Sequence, residues 1–407
     1  MIELTIFVLI FIAISLGTLY TIPLGDSGYN LQYVELYIML LFLVTVVKSI
    51  KKGFTLESSN INKTMYIGWF VVFIYSMLTT YWSGMGLTPL AGSLSLFFGF
   101  ICFLLADHYI PKHKNSYLLG SRILLIIMLF QLSMNMLQVQ SMQLDYYSFK
   151  TYSNTLMGNS NYLSFYFSFF LLYELIAKNK RWIIYSLLSL IGLLLTISRG
   201  AIIALALTLV VYFLISLINR QMSKIKALFT LIFILIGFSV FTNYTNVGKE
   251  FWFSLQYGLE ATSVGAREQL WAEARNVISN NPFGIGVIWR DDPHNIFFSA
   301  YRSLGVLVGT LYLFLLSFPL LYFINPKIVR YSNKALALLI AYLSIFIHSM
   351  VEIFYFTSAS IIWTVITLSF ISKTMREEMK AINSKTNDSI QPKETLVKKR
   401  LLKRITW

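Results

Sequence analysis

Uncharged apolar runs recur along this chain from one end to the other, among them 123–130 and 182–196, and they decide what it can fold into. Water does not tolerate many such runs side by side. A bilayer does, and about 17–25 apolar residues are what a helix needs to cross one. Backbone groups in hydrocarbon must be paired within the spanning segment, so spans of this kind are helices. Composition agrees: 57% of the residues are hydrophobic and 13% charged, against roughly 45–50% and about 25% in soluble domains. The expected fold class is all-α, a polytopic membrane protein.

Twelve spans are expected, near 3–23, 31–47, 64–82, 88–106, 117–137, 162–177, 182–197, 200–218, 227–242, 303–324, 335–351 and 354–372. With these spans, 26 of the 33 basic residues fall on one side of the membrane. Lysine and arginine accumulate in cytoplasmic loops, so both termini are expected there. This sidedness accounts for the net charge of +15 without nucleic acid, which is excluded as a partner. The first segment does not read as a signal peptide: it opens Met1-Ile2-Glu3, lacks a basic start and has no small-residue cleavage site. Cys102 is the single cysteine, so neither a disulfide framework nor a cysteine zinc site is available. Residues 1–372 are expected to form one membrane domain. Residues 373–407 are expected to be a basic cytoplasmic tail, partly disordered and touching anionic lipid.

The large hydrophilic insertion, about 243–301, is placed on the outer side. Within it, Ala266, Leu270, Ala274, Val277 and Ile278 recur at helical spacing, predicting an amphipathic helix over 265–280. The turn residues of "NNPFGIGV" then end it. Next comes "WRDDPHNIFFSAYRSLGVLVG", which crowds two arginines, two aspartates and a histidine against an apolar segment. Asp292 as N-cap and Pro293 in the first turn would start a helix there. His294 has no such duty. Its unperturbed pKa near 6.5 suits a general base, and neighbouring arginines would lower that pKa and keep the ring neutral.

The outer side has few cations, and most are arginines. Arg199 in "TISRGAI" reads either as an interfacial anchor or as an anion ligand whose planar fork grips phosphate. Arg267 opens the amphipathic helix, where the macrodipole prefers acids, so a bound anion explains it better. Arg275, Arg290 and Arg302 are weaker candidates of the same kind, and Asn295 reads as an interfacial polar residue. His348 and Glu352, spaced i,i+4, are expected on one helix face. They read as a buried pair, or as a metal site completed by His294, Asp291 or Asp292.

Four motifs in order carry a resemblance: "GNSN" (158–161), "SRG" (198–200), "AREQLWAEA" followed by "NNPFGIGV", and "HNIFFSAYRSLGVLVG". The chain resembles the O-antigen ligase/polymerase superfamily of membrane glycosyltransferases, from about Asn154 to the twelfth span. The first five spans match in layout alone. Family members often carry Glu before the Gly that follows the histidine motif; this chain has Arg302-Ser303-Leu304-Gly305 there. The resemblance implies inverting, metal-independent transfer of a polyprenyl-diphosphate-linked glycan to an acceptor hydroxyl on the outer face of a bacterial cytoplasmic membrane. It implies His294 as base and Arg199 and Arg267 on the diphosphate. Asn161, Arg275, Arg290, Asn295, Arg302, His348 and Glu352 are supporting candidates. No cofactor or metal is implied. The partners implied are the lipid-linked donor, a glycan acceptor and membrane lipid, with chain-length regulators or flippases as companion proteins.

Three activities compete. A polymerase of lipid-linked oligosaccharide repeats leads. A ligase moving finished glycan to a lipid core or other acceptor shares its chemistry. A transporter or flippase would instead line the middle of its spans with ionisable residues and show symmetry between halves.

Overall fold

A computed structural model describes residues 2–17, 19, 21–23, 30–52, 60–110, 115–140, 154–196, 198–219, 239, 242–244, 262–288, 292–352 and 354–405. The helices are α1 (Ile2–Ser15), α2 (Tyr33–Lys52), α3 (Asn60–Leu78), α4 (Thr88–Tyr109), α5 (Ser116–Gln140), α6 (Ser160–Ala177), α7 (Trp182–Thr196), α8 (Arg199–Ile218), α9 (Thr262–Asn280), α10 (Ile296–Ser317), α11 (Pro326–Tyr331), α12 (Asn333–His348) and α13 (Ser358–Ile405). An antiparallel hairpin, β1 (Thr21–Pro23) with β2 (Asn30–Gln32), joins α1 to α2. Among the described residues, seven helices are long and apolar enough to cross a membrane, and α7 and α12 are shorter apolar helices. The chain is an all-α, multi-pass membrane protein.

Eleven of the twelve expected spans coincide with helices; most of the ninth, near 227–242, lies outside the described residues. Three boundaries differ. The first span stops at Ser15 because the following residues turn into the hairpin. The tenth begins at Ile296 rather than 303, since residues assigned to the outer loop already carry the helix. The tail does not become irregular at 373: α13 continues as helix to Ile405.

Burial separates two kinds of helix. Ser358 to Met375 of α13 are all buried, and α12 and α6 pack together as its neighbours in the core. Small and hydroxyl residues let helices approach closely here, and Thr367 Oγ1 of α13 is hydrogen-bonded to Tyr117 Oη of α5 at 2.9 Å. On α8, by contrast, Ile203, Leu207, Val210, Leu214 and Ile218 form an exposed stripe at helical spacing. That face is apolar because lipid covers it.

The α6–α7 hairpin turns through Lys178 and Arg181, both with positive φ. Arg122 staples it, donating to the Glu174 carboxylate at 2.8 and 3.1 Å and to Lys180 O at 3.0 Å. The opposite ends of these helices carry the candidate residues. The starts of α6, α8 and α10 and the end of α12 bring Asn161, Arg199, His294 and His348 to one face.

A discontinuity in α10 shapes that face. Gly305 sits at φ 70°, ψ 175°, and breaks the helix. The carbonyls of Arg302 and Ser303, freed by the break, accept the N–H groups of Ile285 and Gly286, each at 2.9 Å. The Val306 N–H donates to Pro282 O at 3.0 Å. Tyr75 Oη donates to Phe283 O and Trp82 Nε1 to Gly284 O, both at 2.9 Å. The "NNPFGIGV" segment thus does more than end α9. It lies inside the break in α10, where these bonds satisfy the N–H groups of Ile285 and Gly286 and the carbonyls of Pro282, Phe283 and Gly284, as irregular chain within a membrane protein requires.

Candidate active site

Six hydrogen bonds to backbone groups hold the histidine loop. The His294 N–H donates to Asp292 Oδ1 at 2.7 Å. The Asn295 carboxamide oxygen caps α10, accepting from Phe297 N and Phe298 N, while its Nδ2 donates to Met350 O at 2.7 Å. The Ile296 N–H reaches Ser349 O at 2.9 Å. Trp271 Nε1, from α9, donates to Pro293 O at 2.7 Å. The N-cap is therefore Asn295, not Asp292, and Pro293 precedes the helix: Asp292 is occupied in bracing His294. That brace holds His294 at φ 49°, a left-handed conformation that costs a non-glycine residue on the order of 1–3 kcal/mol.

So held, the imidazole meets a buried carboxylate. His294 Nδ1 lies 2.7 Å from Glu352 Oε1. Asn161 Nδ2 donates to Glu352 Oε2 at 2.7 Å, and Arg267 Nη2 lies 3.7 Å from the same oxygen. The Glu352 side chain is 3% exposed and that of His294 39%, so the pair has a sealed end and an open one. Burial alone would raise the Glu352 pKa. The hydrogen bond from His294 and the charges of His294, Arg267 and His348 outweigh it and hold the carboxyl below its usual value. An ionised carboxylate only accepts. Nδ1 therefore donates, and Nε2 carries the lone pair toward the exposed side.

The His294 pKa runs opposite to the sequence expectation. The Glu352 hydrogen bond and charge raise it above the ordinary histidine value, against burial and Arg267, which lower it. The arginine is there, but the carboxylate is closer. His348 and Glu352 also do not share a helix face, because α12 ends at His348 and Glu352 lies past it in a turn. Phe165 stacks on His348 at 3.9 Å. Asp292 is pushed up to about 6, chiefly by burial, with the His294 N–H and the charges of His294 and Arg302 acting against the rise.

Arg267 does not open α9. The helix begins at Thr262, a turn earlier, so the macrodipole argument gives way to a contact. Arg267 and Trp271, four residues apart, share the face that docks on the histidine loop. Arg275, on the same helix, lies 6.0 Å over the Phe298 ring, away from Glu352. Arg199 starts α8 and makes no hydrogen bond or ion pair with the described residues. Its neighbour Gly200 backs onto His348: a Cβ there would lie 3.0 Å from His348 Nε2. Arg302 stands further along α10, beside Asp292, and Arg290 lies outside the described residues. The arrangement thus joins Asn161, Arg267, His294 and Glu352 directly, with Arg199 and His348 alongside.

These features define a polytopic helical membrane protein with a histidine–carboxylate pair and arginines at the converging ends of its helices. Comparison with known families adds a second, independent line. A family model described as O-antigen ligase matches residues 184–314, about a third of the chain, taking in Arg199, Arg267 and His294. The match supports the O-antigen ligase/polymerase superfamily, and with it O-antigen ligase/polymerase-type activity of the kind carried out by membrane glycosyltransferase-like enzymes. No curated protein matches the chain. Asn161 and Glu352 fall outside the matched segment, and the sequence ranked them only as supporting. The signals available for Glu352 were its i,i+4 spacing from His348 and its place as a carboxylate at the outer end of an apolar span, where an unpartnered charge is expensive.

Proposed function

We propose that this protein polymerises polyprenyl-diphosphate-linked oligosaccharide repeats into a surface polysaccharide, at the outer face of a bacterial cytoplasmic membrane with both termini inside. The observation that carries the reading is the His294–Glu352 contact with Arg267 on the same carboxylate. The acceptor hydroxyl is a weak nucleophile until a base takes its proton as it attacks. His294 Nε2 receives that proton while the acceptor oxygen bonds to the anomeric carbon. The bond from that carbon to the diphosphate oxygen breaks from the opposite face, and the diphosphate leaves with the electron pair, inverting the anomeric configuration. Negative charge grows on the departing diphosphate, where Arg199 and Arg267 meet it. Arg267 is free to do so because its tie to Glu352 is long, at 3.7 Å. Glu352 stabilises the imidazolium as it forms, so the step calls on no metal.

A ligase uses the same step with a different acceptor, and the matching family model is compatible with either reading. One assay separates them. Purified protein, a lipid-linked oligosaccharide as sole substrate and a chelator should give a ladder of multiples on a gel. Verified substrate with no ladder, and product only when a lipid-core acceptor is added, would make it a ligase. In the same assay Arg199→Lys is expected to lower turnover by about a hundredfold, because a point charge cannot replace a two-pronged guanidinium. Unchanged turnover would take Arg199 out of the mechanism.

A further inference from the structure

With no side-chain bond to the described residues, Arg199 is placed by its backbone alone. Ser198, the N-cap of α8, makes no capping bond through its hydroxyl either. Wherever the first turn of α8 rests, the guanidinium follows, and that turn rests on His348. Gly200, the last residue of "SRG", does not have a positive φ, so its conformation does not call for glycine. The space does. A Cβ there would lie 3.0 Å from His348 Nε2, 3.2 Å from His348 Cδ2 and 3.2 Å from Val351 Cγ2, inside the roughly 3.5–4.0 Å of ordinary contact.

The imidazole is backed. His348 is buried, Phe165 stacks on it at 3.9 Å, and Phe165 is stacked in turn on Phe354 at 4.2 Å. His348 also ends α12, and the turn after it holds the histidine loop. Ser349 O accepts the Ile296 N–H, Met350 O accepts from Asn295 Nδ2, and Glu352 meets His294. The Val351 N–H bonds back to His348 O at 3.0 Å, which ties this turn to the ring's own residue. One short stretch, 348–352, therefore touches both the start of α8, which carries Arg199, and the loop that carries His294.

We infer that His348 is a positioning residue: the edge of its ring is the stop against which α8 begins, and this contact holds Arg199 at a fixed distance from the His294–Glu352 pair. A side chain at position 200 would push α8 off that stop and carry the guanidinium with it. The inference rests on the reading of Arg199 as a diphosphate ligand.

Gly200→Ala tests it without weakening the helix, because alanine is the better helix former. The probe is farnesyl diphosphate, which has a diphosphate and an isoprenoid tail but no sugar, and its binding is followed by calorimetry in detergent. Affinity should fall about tenfold, and kcat/KM for the lipid-linked donor at least as far, since a misplacement of about 1 Å can cost on the order of a hundredfold. His348→Ala removes the stop and should weaken binding too. In that background the methyl has room, so adding Gly200→Ala should cost less than about twofold more. A ring that merely filled space would lower the melting temperature when removed and leave the affinity of the folded protein alone. Wild-type affinity in either single variant, or a full tenfold further loss when Gly200→Ala is added to His348→Ala, overturns the positioning. Arg199→Lys is the reference. If it binds the probe as the wild type does, the diphosphate reading fails and the positioning falls with it. If it binds weakly while Gly200→Ala binds normally, the positioning alone fails.

Discussion

His294→Ala is expected to lower glycosyl transfer by about 10³–10⁴-fold while the protein still inserts and purifies. Glu352→Gln should cost less and reveal more. Gln can still accept from Nδ1 through its amide oxygen, so the ring stays in place, but the negative charge is gone. In the wild type that carboxylate raises the His294 pKa, and only the neutral ring can accept a proton. The rate should therefore climb with pH through a midpoint above the ordinary histidine value near 6.5. In Glu352→Gln the plateau should fall, because nothing stabilises the imidazolium formed during attack. The rising limb should also move to lower pH, because the largest cause raising the ring's pKa is gone while burial and Arg267 still lower it. A pH–rate profile of kcat/KM reads both at once. A lower plateau with an unmoved limb would mean that Glu352 only holds the loop. Full activity in His294→Ala would remove the base altogether.

What the sequence made legible divides along physical lines. Lipid imposes a length and a polarity on every span, so the spans were readable. The α9 periodicity was readable for the same reason: one face is buried. His294 and Arg267 stood out because ionisable groups are scarce here. What could not be read was pairing across distance. Glu352 is 58 residues from His294 in the chain, and its role depends on α12 ending at His348, which no local signal marked. The direction of the His294 pKa shift followed from that same unseen contact. Asn161 lay in a motif that looked like a helix start, and Asn159 does cap α6, accepting from Tyr162 N at 3.1 Å, yet Asn161, the second residue of the helix, reaches Glu352. Gly305 was read only as the glycine that follows the histidine motif; the break it makes could not be read, because the segment that fills it comes from about twenty residues earlier in the chain.

Gly284→Ala is expected to destabilise the protein by about 2–6 kcal/mol, combining backbone strain with a clash in a filled space. Gly284 has φ 79°, and a Cβ there would lie 2.4 Å from Gly305 N and 2.6 Å from Ser303 O. Both neighbours are backbone, so no side chain can swing aside. Gly84→Ala is the control. Its φ is 69°, but a Cβ there would meet nothing within 4 Å, so it keeps the conformational strain without the clash and should cost about 1–2 kcal/mol. Thermal unfolding of the two variants in detergent compares them directly. A Gly284→Ala variant no less stable than Gly84→Ala would mean that the loop does not lie in the α10 break as described. If the larger loss appears, it should bring loss of transfer with it at temperatures where the protein is still folded. The contacts that close the break hold Ile285 and Gly286 against the carbonyls of Arg302 and Ser303, on the helix whose start carries the histidine loop. One glycine, distant from the reacting atoms, thereby couples the fold of a membrane helix to the placement of His294.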